Sequence, residues 1–173
     1  MNRIFAGMVF IFIEFNININ TSQIGLFPDF VGYIFMAQGL TELSQKSRRF
    51  SAALPFATVM AVLTGIDYVV KLMGLSAGTT LGYFVWLAFT CISLYISYNI
   101  VMGIKEMEKT ELRFLGAEGL FRWWMMLFIW SVVSFGLFLI PALWVVIAIA
   151  GFIFSLCYLL GFNSTRKLYY GNV

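Results

Sequence analysis

The chain has 173 residues, 61% hydrophobic and only 11% charged, with a net charge of +3 and a mean hydropathy of +0.91. Soluble domains run near 25% charged, so this balance excludes an ordinary soluble domain and marks a membrane protein. There is no histidine, and Cys91 and Cys157 stand far apart in apolar runs, which removes the commonest metal ligand and proton shuttle and any paired-thiol motif.

Runs near 20 apolar residues mark about six spans. They are Ile4–Ile19, Ile24–Leu43, Ala52–Met73, Leu81–Ile104, Phe121–Ile140 and Ala142–Phe162. The expected fold class is all-α, a polytopic transmembrane helix bundle forming one domain over residues 1–173. Met1–Ile19 has the basic start and apolar run of a signal peptide. It continues, however, into Asn16-Ile17-Asn18-Ile19-Asn20 rather than a small-residue cleavage site, so it reads as a retained first span. In the second span Pro28 suits a first helical turn and Asp29 the positive end of the helix dipole. Gly25, Asp29, Gly32, Met36 and Gly39 would share one face of that helix. The glycines Gly25, Gly32 and Gly39 would let another helix approach closely. The last two spans meet near Pro141, which implies a tight hairpin.

Charge placement orients these spans, because basic residues favour cytoplasmic loops. With the N-terminus inside, the inner segments hold Arg3, Lys46, Arg48, Arg49, Lys105, Lys109, Arg113, Arg122, Arg166 and Lys167, which is every basic residue except Lys71. Both termini are therefore expected in the cytoplasm. The net positive charge follows from this placement and does not point to nucleic acid. Trp123 and Trp124 suit an inner aromatic belt, and Trp144 an outer one. Lys105–Arg122 is the only long polar connection. It reads as a short surface helix with some i,i+4 pairing, either a solvated linker or a docking site for a partner.

The informative side chains are ionisable groups inside spans: Glu14, Asp29, Asp67 and Lys71. A charge at the bilayer centre costs at least ~2.5–3.5 kcal/mol, so such groups face a cavity or a partner. Counting along the spans puts all four in the outer half of the membrane. Arg3, Gly7, Glu14 and Asn18 would share a face of the first span, and Met60, Thr64, Asp67, Lys71 and Gly74 a face of the third. Asp67 and Lys71 are spaced i,i+4 with the acid first, the better orientation for pairing. Their pairing would leave Glu14 and Asp29 to make the site net negative. Such a site favours a cation, a cationic group on a solute, or a proton held by one carboxyl. Purely structural roles are open beside this one: an internal Asp67–Lys71 bridge, a helix-start role for Asp29, and a Glu14–Asn18 bond. Asn99, on the same side of its helix as Tyr95, is expected to bond across helices.

No catalytic constellation, metal-ligand set or cofactor motif is visible. The expected function is a transporter or solute-binding membrane subunit, with an outward-facing acidic pocket lined by Glu14, Asn18, Asp29, Asp67 and Lys71. The alternative is a non-transporting accessory, immunity, sensor or complex-subunit protein. Its Gly25/Gly32/Gly39 face would serve association with a membrane-protein partner or a second copy.

The stretch Phe27-Pro28-Asp29-Phe30-Val31-Gly32-Tyr33, followed by Gly39-Leu40 and a basic, Ser-containing end, resembles a pattern of small multi-pass membrane proteins of Gram-positive bacteria. The resemblance implies a multi-pass protein of a bacterial plasma membrane and no particular activity. In size and span number the chain is also similar to the substrate-binding subunits of energy-coupling-factor vitamin transporters. Those subunits carry an Ala-x-x-x-Ala face in the first span, where this chain has only Ala6.

Overall fold

The computed structural model describes residues 1–12, 16–19, 22–25, 28–74, 79–137 and 143–171. Its class is all-α. Six helices, α1 (Asn2–Phe12), α2 (Asp29–Leu43), α3 (Arg48–Leu72), α4 (Thr79–Thr110), α5 (Ala117–Leu137) and α6 (Trp144–Gly171), are joined by one small hairpin of β1 (Asn16–Ile19) and β2 (Ser22–Gly25). Helices α3 to α6 are long and apolar enough to cross a membrane.

The first two spans differ from expectation. α1 has 11 residues and α2 has 15, about 16 and 22 Å at 1.5 Å per residue, against about 30 Å of hydrocarbon. Between them β1 pairs antiparallel with β2, aligning Ile17 with Ile24 and Asn18 with Gln23. The apolar runs Ile4–Ile19 and Ile24–Leu43 are therefore each part helix and part strand. The physical reason is period: Asn and Ile alternate over Asn16–Ile19, a strand pattern that average hydropathy does not register. Pro28, without an N–H and with φ −68°, sits at the N-cap and fixes where α2 begins.

The chain divides into two compact units, Met1–Ile100 and Val101–Val173, with α4 contributing to both. In the first unit α1 and α2 run antiparallel at very close range. A Cβ added to Gly32 would stand 2.8 Å from the Gly7 carbonyl oxygen, and one added to Gly39 would stand 2.8 Å from the Ile4 nitrogen. Only glycine leaves room for such an approach. α2 then packs against α3, with Phe30 and Tyr68 rings 5.7 Å apart. α3 turns Phe50, Ala53, Ala57, Met60 and Thr64 inward. Ser47 starts it by accepting a hydrogen bond from the Arg49 N–H at 3.1 Å, an N-cap that satisfies an otherwise orphaned donor.

The second unit is built differently. α5 lays Trp123 over Gly161 of α6 and Trp130 over Gly151. Tyr158, Leu159 and Phe162 complete the buried face of α6. α4 continues helical through Thr110 and ends at a turn where Leu112 has φ +49° and Gly116 φ +71°. The polar connection is thus the end of α4 plus a turn, not a separate surface helix.

Polar side chains on the membrane helices mostly satisfy themselves locally, as a medium without water requires. Thr64 donates to the Met60 carbonyl at 2.6 Å and Thr90 to that of Trp86 at 2.9 Å. Asn99 Nδ2 donates to the Tyr95 carbonyl at 2.9 Å. The expected interhelical bond of Asn99 is therefore replaced by one within its own helix.

Candidate polar site

The inward face of α3 changes character along its length. Met60 and Thr64 on this face are buried. One and two turns further, still on that face by helical spacing, come Asp67 and Lys71. Their side chains are 36% and 61% exposed and joined by a 2.7 Å ion pair. The face thus opens from an apolar core into a polar end.

Asp29 lies at the same end. Because α2 and α3 are antiparallel, its neighbour Phe30 packs on Tyr68, the neighbour of Asp67, and Phe30 Cβ stands 3.7 Å from where a Gly65 Cβ would be. Asp29 is half-buried. Phe30 and Tyr68 were not among the residues expected from sequence, although each is adjacent to a site carboxylate, the one local signal that points to them.

The depth of this end follows from helix arithmetic. The uncharged run Phe50–Ile66 on α3 measures about 26 Å at 1.5 Å per residue, close to one hydrocarbon thickness. A bilayer centred on that run would have Arg48 and Arg49 at one boundary and the Asp67–Lys71 pair near the other, shallower than a mid-membrane position. Glu14 lies outside the described residues. Asn18 is placed by its backbone in β1, aligned with Gln23. Gly25, expected on the helical face with Gly32 and Gly39, belongs to β2, while Gly32 and Gly39 face α1 within the same chain.

The opposite end of this unit is also ionic. Arg3 on α1 bonds Glu42 at 3.0 Å and Gln38 at 3.0 Å on α2, tying the two short helices together where the glycine contact ends.

In the second unit the α4–α5 turn is braced by charge. One oxygen of Glu108 accepts from the Leu115 and Ala117 N–H groups at 3.1 and 2.8 Å, capping the start of α5 from a neighbouring helix. Arg113 Nη2 donates to the Leu168 and Tyr169 carbonyls at 3.1 and 2.7 Å, serving the C-terminal carbonyls of α6 with a cation. Lys105 pairs with Glu118 at 2.8 Å. The Lys105–Glu118 pair thus crosses the turn, and Lys105, with Arg122 one turn on from Glu118 adding to the cationic surroundings, holds the Glu118 carboxyl below the usual range.

Among the described residues no cluster of three His, Cys, Asp or Glu could hold a metal ion. A shallow apolar groove follows the outward face of α3, lined by Ala61, Val62, Gly65, Ile66, Val69 and Met73, among others. Trp144 and Pro141, assigned above to an outer belt and hairpin, have no described side chain. Comparison of the chain with protein-family models, with curated proteins and with solved structures finds no match in any of the three.

Proposed function

We propose that this membrane-embedded helical protein binds a small cationic solute at the polar end of its first unit, as a solute-binding subunit or transporter. One observation carries the reading: the buried face of α3 ends in the half-exposed Asp67–Lys71 pair, at the end of the α2–α3 hairpin that also holds Asp29. Two carboxylates and one ammonium sum to −1, and a net-negative site attracts cations. The placement of basic residues supports assigning this end to the outer surface. Its shallow depth favours capture of a solute at that surface over a mid-membrane translocation site. The test is equilibrium binding of a panel of small organic and inorganic cations to the purified protein. Binding that weakens at least about tenfold in Asp29→Asn supports the reading, at about 1.4 kcal/mol for each factor of ten. An absence of binding, or binding indifferent to Asp29→Asn, refutes it.

A second reading, an accessory subunit acting through helix association, draws on the apolar groove of α3. Gly32→Leu would not distinguish the two readings, because Gly32 already packs inside the chain. Ile66→Trp on the groove is the better variant: loss of a co-purifying membrane partner with cation binding intact would favour the accessory reading.

A further inference from the structure

The turn between α4 and α5 holds a feature that no solute site requires. Leu112 is 92% exposed and Phe114 72% exposed, the highest values among the large apolar residues of the described chain. Leu112 is held at φ +49°, a conformation that costs a non-glycine residue energy. The residues between and after them point the other way: Arg113 is fixed to the α6 carbonyls, Leu115 is fully buried, and Glu108 holds the Leu115 and Ala117 N–H groups. In and out alternate strictly over 112–115, so the turn is built to present two apolar side chains outward.

The surroundings identify the partner. The apolar run of α4 ends at Ile104, and helix continues for six residues from Lys105 to Thr110, about 9 Å at 1.5 Å per residue. The interfacial layer of a bilayer is about 5–7 Å thick on each side, and Leu and Phe side chains reach several ångströms. The other elements of this unit carry exposed aromatics at the same end, Trp123 on α5 and Tyr170 on α6, as an interfacial belt does. The charges on the segment from Lys105 to Arg122 balance: Lys105, Lys109, Arg113 and Arg122 against Glu106, Glu108, Glu111 and Glu118. Electrostatic attraction to anionic lipid is therefore not what would hold the turn.

We propose that the α4–α5 turn is an interfacial anchor: Leu112 and Phe114 insert into the headgroup–acyl boundary of the leaflet that receives this end and set the depth of α4 and α5. Zwitterionic lipid suffices, and the insertion is insensitive to salt. This proposal is independent of the cation site.

The experiment uses the full chain with Cys91→Ser and Cys157→Ser, reconstituted in phosphatidylcholine vesicles. An environment-sensitive fluorophore is attached to Leu112→Cys and, as the reference, to Lys109→Cys. The expected result is blue-shifted emission at 112, quenching by lipids with a shallow nitroxide, and at least about threefold less iodide quenching than at 109. Phe114→Trp in the same vesicles gives a second reading through its change in nitroxide quenching over the unsubstituted protein, should the labelled protein misfold. Emission at 112 as in water, with iodide quenching equal to that at 109 and no nitroxide quenching of Trp at 114, overturns the proposal. That result would leave the turn as a contact for a soluble protein.

Discussion

The two units solve the same problem, holding helices together in an apolar medium, by different means. In the first, α1 meets α2 backbone to backbone through Gly7, Gly32 and Gly39. In the second, α5 meets α6 through large rings laid on small residues, Trp123 on Gly161 and Trp130 on Gly151, and charged groups fasten the end. Lipid gives little hydrophobic reward for bringing helices together, so close packing and satisfied polar groups must do it. The glycine contact leaves no slack, whereas a ring can shift. The difference predicts how each unit fails.

The largest effect is expected at the glycine contact. Gly32→Leu must push against the Gly7 carbonyl and the Ile11 and Phe10 side chains, and overpacking of this kind costs about 3 kcal/mol. Thermal unfolding in detergent should show a large fall in Tm. An unchanged Tm would mean that α1 and α2 do not touch as described. Next is Glu108→Ala, which strips two N–H groups at the start of α5 of their acceptor. The expected loss is about 1–3 kcal/mol, with faster hydrogen exchange at Leu115 and Ala117 and none at α1. Gly161→Ala should cost less, about 1 kcal/mol, because the clash at 2.9 Å is with Trp123 Cδ1, a side chain that can give way; a shift in tryptophan emission would report the movement. Smallest is Asp67→Asn. The pair it breaks is more than a third exposed at both partners, and such pairs contribute roughly 0–1 kcal/mol, discounted for screening. Its stability should be near that of the unsubstituted protein, which makes it a clean probe of binding.

Much of the fold was legible in the sequence, and the exceptions share a cause. α3, α4, α5 and α6 each overlap an apolar run because composition alone marks a span. α1 and α2 stop short of theirs because hydropathy averages over period: the Asn–Ile alternation at Asn16–Ile19 was the available sign of a strand. The stretch from Lys105 reads as helix, since Lys105, Glu106, Glu108 and Lys109 are good helix formers, but its continuity with α4 through Thr110 was missed because the first charges mark the end of the apolar run. At the candidate site the spacing of Asp67 and Lys71 told that they pair. That Asp29 stands at their end was reachable only through antiparallel span order. The roles of Phe30, Tyr68 and Arg113 depend on helix-to-helix register, which no local pattern encodes.

The central claim is that Asp29 and Asp67 act on one water-accessible polar end, and Lys71→Cys in a cysteine-free background tests it most directly. This change removes the only described cation there and leaves both carboxylates. Cationic methanethiosulfonate reagents should then modify Cys at position 71 about tenfold faster than anionic ones at low salt, and Asp29→Asn should shrink that preference. A thiol that reacts with neither reagent, or a preference untouched by Asp29→Asn, would contradict the account.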